Sequence, residues 1–172
     1  MTNTAVDSFV EAAASKQSIF KEVCDFFKQE QWPFIKLPEQ TTVQLLAQAQ
    51  NGQWTCYATV REAENIFAFY SVCPIPASSS KREKIAEFII RVNQGMLLGN
   101  FELDYRDGEI RYKTSIDVEG DWLTHALIRS LVYTNVMTLD QYLPAILAVL
   151  EQGTTPEQAI HLVEQEKSTP ST

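Results

Sequence analysis

Apolar residues recur with two different periods along the chain, and the order in which those periods alternate predicts the fold. From Ser18 to Gln31, Ile19, Phe20, Val23, Phe26 and Phe27 fall on one helical face and Lys21, Glu22, Asp25 and Lys28 on the other; Pro33 ends the helix. Ser8 and Glu11 have capping-box spacing, which would start that helix earlier, through an Ala-rich stretch with little to bury. The period then becomes two. Phe34 to Leu37 predicts a short edge strand before Pro38, and Val43–Gln50 and Gln53–Glu62 flank Asn51-Gly52. That dipeptide is a hairpin signal because both central residues of the favoured two-residue turn need positive φ. Pairing outward from it opposes Ala49 to Trp54, Ala47 to Cys56, Leu45 to Ala58 and Val43 to Val60, all apolar. The other face pairs Gln48 with Thr55, Leu46 with Tyr57 and Gln44 with Thr59, so a one-residue slip would drive glutamines into the core. Asn65–Cys73 adds a further strand, with Phe67 opposite Val60 and Phe69 opposite Ala58.

Pro74, Pro76 and the serines at 78–80 break this sheet, and Ser80 with Glu83 forms a capping box for a second helix. Its stripe is Ile85, Phe88, Ile89, Val92 and Met96, with Gly95 or Gly99 as the stop. A second hairpin signal, Asp107-Gly108, opposes Arg106 to Glu109, Asp104 to Arg111 and Glu102 to Lys113, three pairs of opposite charge. Phe101, Leu103, Tyr105, Ile110 and Tyr112 take the core face. After Gly120, apolar residues from Leu127 to Leu150 trace one long helical face to Gly153. Pro144 and the Thr138–Gln141 pattern predict a kink or break near its middle. Thr155-Pro156-Glu157 opens a short last helix. The pattern divides the chain into a flexible or partly helical segment 1–17, one α+β domain 18–153, a short helix 154–166 and a disordered tail 167–172.

Composition narrows the function classes. With 172 residues and 45% hydrophobic content, one sizeable core is expected. Fourteen Lys and Arg against 22 Asp and Glu leave a net charge of −8, which disfavours nucleic acid and anionic membrane surfaces as partners. Cys24, Cys56 and Cys73 are odd in number, have no Cys-x-x-Cys spacing and sit among apolar neighbours; they read as reduced, buried thiols of a cytoplasmic protein. The start of the chain has no signal-peptide pattern, and the longest apolar run, Leu143–Leu150, is far below the ~20 residues of a membrane span.

Candidate chemistry is sparse. None of the six glycines forms a phosphate or dinucleotide loop. The alternation Asp117, Glu119, Asp121 resembles the opening of a calcium loop, but Trp122 stands where that loop needs glycine and Ile128 where it needs glutamate. His125 and His161 belong to no metal or triad spacing, so no catalytic, cofactor or metal residue is nominated. One stripe rises above background: Leu46, Tyr57 and Tyr70 share the sheet face otherwise made of Gln and Thr, as a partner or dimer surface would.

Asn93, Gly99, Phe101, the Asp107-Gly108 turn, Arg111 and Tyr112 together resemble the bacterial YbjN-like family, in particular its cyanobacterial members. The element order from about Ser18 to Gly153 fits as well. The resemblance implies an antiparallel sheet backed by helices, in the order α-βββ(β)-α-ββ-α and similar to type III secretion chaperones. It also implies self-association and no catalytic residues or cofactor. The expectation is therefore a non-catalytic cytoplasmic protein-binding module, chaperone-like or adaptor, acting as a homodimer on an unknown protein partner. The alternative is a regulatory domain holding a small molecule between helix and sheet, against Trp54, Phe69 and Phe88.

Overall fold

The computed structural model describes residues 18–119 and 121–168. Segment 1–17, with its Ser8/Glu11 spacing, and the last four residues lie outside the described part. The elements are α1 (Ile19–Gln29), β1 (Phe34–Lys36), β2 (Thr42–Gln48), β3 (Gln53–Arg61), β4 (Ile66–Val72), α2 (Arg82–Asn93), β5 (Asn100–Leu103), β6 (Ile110–Asp117), α3 (His125–Glu151) and α4 (Pro156–Ser168). Six strands form one antiparallel sheet in the order β1-β2-β3-β4-β6-β5, and α1, α2 and α3 cover one of its faces.

The ends of α1 and the start of α4 are closed by specific hydrogen bonds. Ser18 Oγ accepts from the Lys21 amide, and the carboxylate of Glu62, in the β3–β4 turn, accepts from the Ile19 and Phe20 amides at 3.2 and 2.9 Å. A carboxylate there satisfies orphan donors and meets the positive end of the helix dipole. At the other end Gln31 takes φ +57°, and the Trp32 amide reaches back to the Phe27 carbonyl. Thr155 and Gln158 exchange side-chain and backbone hydrogen bonds to open α4, whose Ala159 and Val163 are buried with α2 and α3. The helix α4 runs to Ser168, past the 166 read from sequence.

Between β3 and β4 the register is the expected one, with Val60 opposite Phe67 and Ala58 opposite Phe69. Both tight turns differ from expectation by two residues. In β2–β3, Ala47 faces Trp54, Leu45 faces Cys56 and Val43 faces Ala58, and neither Asn51 nor Gly52 adopts positive φ. A shift of two preserves every face, so the apolar set still lines the core. The turn is longer because it docks: the Asn51 amide donates to Asp140 Oδ1 at 2.7 Å and Asn51 Nδ2 to the Asp140 carbonyl at 3.1 Å.

In β5–β6, Phe101 faces Tyr112 and Leu103 faces Ile110, again two residues from the expected pairing. The loop from Asp104 to Glu109 is held against the β4–α2 connection, where the Ala77 amide donates to the Gly108 carbonyl at 2.8 Å and Arg82 Nη1 donates to the Tyr105 carbonyl at 2.8 Å. Gly108 sits at φ +86°, and a Cβ there would lie 2.0 Å from the Ala77 oxygen. Tyr105 falls in this loop, 55% exposed, instead of on the core face.

Two further expectations are corrected. Lys81, not Ser80, is the N-cap of α2 and makes no capping side-chain bond; Ser80 pairs with Ser78 instead. The helix α3 runs unbroken through Pro144 for 27 residues. Proline removes the amide that would bond the carbonyl four residues back. That carbonyl belongs to Asp140, and Asn51 supplies the missing donor.

Candidate functional site

The sheet has two unlike faces. Trp54, Cys56, Ala58, Val60, Phe67, Phe69, Phe101, Ile110 and Tyr112 point at the helices and are buried. Their alternates point outward. Tyr57 lies directly opposite Tyr70 on neighbouring strands, so the structure brings these two together, both half-buried. Leu46 lies opposite Thr55, not Tyr57, and is diagonal to the tyrosine pair; it is 51% exposed. With Ile35 of β1, 61% exposed, the stripe extends to the sheet edge.

A shallow groove of about 430 Å³ crosses this face, lined in part by Leu46, Thr55, Tyr57 and Val72. A second, of about 270 Å³, runs beside β1 along Pro33, Ile35 and Leu46. Toward β6 the stripe becomes charged. The Arg111 guanidinium stands 4.8 Å from the Tyr70 ring centre and pairs with Glu102 at 2.7 Å, and Lys113 also bonds Glu102. Burial alone would raise the Glu102 carboxyl, but the hydrogen bonds from Lys113 and Arg111 outweigh it and hold the group below its ordinary value.

Both edges of the sheet are closed to strand addition. On β5, Asn93 at the end of α2 bonds both backbone groups of Phe101, Oδ1 accepting from its amide at 2.8 Å and Nδ2 donating to its carbonyl at 3.0 Å. On the other side, β1 is three residues long and lies between Pro33 and Pro38, with Lys36 on it. Short edge strands, prolines and lysines are the usual defences against edge pairing. A partner is therefore left the face.

The remaining candidates resolve into structure. Asp117 Oδ1 accepts from the Glu119 amide and Asp121 Oδ1 from the Trp122 amide, and among the described residues no cluster of His, Cys, Asp and Glu could hold a metal. His125 packs tilted against the Phe26 ring and lies 3.3 Å from Glu30, which also bonds Tyr133 and lies 3.6 Å from Arg129. That junction ties the end of α1 to one stripe of α3; the i, i+4, i+8 spacing of its three α3 partners is legible in the sequence, but their common target, Glu30, is set by tertiary packing. Desolvation pushes the Cys56 thiol up to about 12 and the Cys73 thiol to about 11, which keeps both protonated and inert. Trp54, Phe69 and Phe88 are buried in the core layer, and Trp54 also lines the 430 Å³ groove. Asn135, absent from the helical stripe read in sequence, is fully buried and donates through Nδ2 to the Phe69 and Tyr112 carbonyls and to Thr114 Oγ1.

The described residues form a six-stranded antiparallel sheet backed by helices on one face and open on the other. Residues 20–148 match the YbjN family, described as "Putative bacterial sensory transduction regulator", and the chain belongs to that family. Among solved structures it is similar to the crystal structure of YbjN from E. coli, "a putative transcription regulator", with a TM-score of 0.57 and 11% identity over 77% of this chain and 89% of that one. It is also similar to the crystal structure of the ExsC-ExsE complex, with a TM-score of 0.56 and 12% identity over 76% of this chain and 94% of that one. The α+β fold expected from the resemblance, that of type III secretion chaperones, is the fold found. No curated protein matches the sequence.

The residues that carried the resemblance have structural work to do. Asn93 closes the β5 edge, and Gly99 at φ +78° passes so near β6 that a Cβ would meet the Lys113 carbonyl at 2.5 Å. The Phe101 ring packs tilted against Tyr112 with centres 4.8 Å apart, and the Tyr112 hydroxyl donates to the Leu98 carbonyl.

Proposed function

We propose that this chain is a non-catalytic protein-binding module, chaperone-like or adaptor, which works in the cytoplasm, is a homodimer when free of its partner, and takes its protein partner on the open face of the sheet. The observation that carries the reading is that face: Leu46 and the Tyr57–Tyr70 pair stand exposed or half-exposed on it while both sheet edges are closed. Tyrosines on a rigid sheet supply apolar area and a polar tip at small entropic cost, the combination that interfaces favour. The complex of ExsC with ExsE, similar in fold, supports a protein partner by analogy.

Affinity capture from a lysate of the source cells should recover a protein with the wild-type chain and lose it with Tyr57→Glu or Tyr70→Glu, both variants retaining the wild-type circular dichroism spectrum. Unchanged capture by both variants removes the face from the proposal. A second reading, a regulator that senses a small molecule, has the 430 Å³ groove in its favour, a volume within the range of ligand sites. A metabolite that raises the melting temperature, with the rise lost in Tyr57→Glu, would establish it.

A further inference from the structure

We infer that the second copy in the homodimer sits on this same face, sheet against sheet, so that the dimer is the closed form of the binding surface. The inference rests on the reading of the face as a binding surface and adds what occupies it. Charge is the first reason. The chain carries −8, so two copies repel over most approaches. Along β1 to β4 the outward positions include no carboxylate and one cation, Arg61. Adding Arg111, Lys113, Glu102 and Asp117 from β5 and β6, and Glu109, which lines the same groove, gives three cations against three carboxylates, a neutral face on a strongly acidic molecule. Two such faces meet with the acidic remainder of each copy turned away.

Composition and size are the second. A two-fold interface must be complementary to itself. Here Leu46, Tyr57, Tyr70 and Val72 give the apolar share, while Gln44 and Thr59 can bond phenolic hydroxyls of the other copy. Five strands about 4.8 Å apart and about seven residues long at about 3.4 Å each span roughly 500 Å² in projection. The accessible surface of a corrugated face is larger than its projection and comes near the about 800 Å² per partner of a standard interface.

Light scattering on the full chain from micromolar to submillimolar concentration should show the mass rising from one chain to two. Because the opposed faces are nearly uncharged and the remainder repels, molar salt should strengthen the association. Leu46→Glu should weaken it about 10-fold or more, whereas Ile90→Glu, an exposed apolar site on α2, should leave it unchanged. The apolar dye anilinonaphthalene sulfonate should bind less per chain as the wild type concentrates, because dimer formation covers its site. A chain that stays monomeric throughout overturns the inference, as does a dimer indifferent to Leu46→Glu or one whose dye binding does not change with concentration. In each of those cases loss of partner capture by Tyr57→Glu would leave the protein-binding reading standing, and retained capture would end both.

Discussion

Pro144 takes one donor out of the middle of α3, and the carbonyl it orphans is the one Asn51 reaches from the β2–β3 turn. An unmade buried hydrogen bond would cost about 1–3 kcal/mol, less where solvent can substitute, so the pair is coupled. A double-mutant cycle measures it. Asn51→Ala should cost about 1 kcal/mol in the wild type. It should cost appreciably less in Pro144→Ala, where the new backbone amide takes over the Asp140 carbonyl; equal costs in urea unfolding would show the contact to be idle. The Asn-Gly dipeptide was legible as a turn, but its conformation was not, since the docking partner lies 89 residues away.

At the scale of elements, α2 and β5 are joined through Asn93, whose side chain occupies the backbone groups of Phe101 that would otherwise face out from the sheet edge. Asn93→Ala should lower stability by about 1–3 kcal/mol, from two lost bonds at a part-buried site. It should also raise thioflavin-positive aggregation, because an unprotected edge is a template for pairing. Loss of stability with no gain in aggregation would mean that the edge is guarded by other means. The second hairpin teaches a related lesson. Its opposite charges are real pairs, Glu102 with Arg111 and with Lys113, but Asp104 bonds Arg106 within the loop. Charge alternation predicted attraction along the hairpin and not its register, since exposed pairs contribute too little to overrule the contact of Gly108 with Ala77.

At the scale of the whole molecule, the described residues share one core between four helices and one face of a sheet. Cys56 sits in that core on β3 and Cys73 just past the end of β4, and both are sensitive to the same event. If the domain opens as a unit, both thiols should react with a disulfide reagent at one common rate that follows global stability, and all three cysteines should react at once in denaturant. Clearly different rates for Cys56 and Cys73 would indicate independent opening of the two sites. The sequence by itself determined the element order, the helical stripes, and which residues of each strand face the core. The physical reason is that periods of 3.6 and 2 are local properties, readable wherever one side of an element must be dry. Tertiary structure decided the register of both hairpins, the unbroken course of α3 through its proline, the burial of Asn135 and the closure of the sheet edges. Each depends on a partner distant in sequence, and a two-residue shift changes no face, so periodicity cannot detect it.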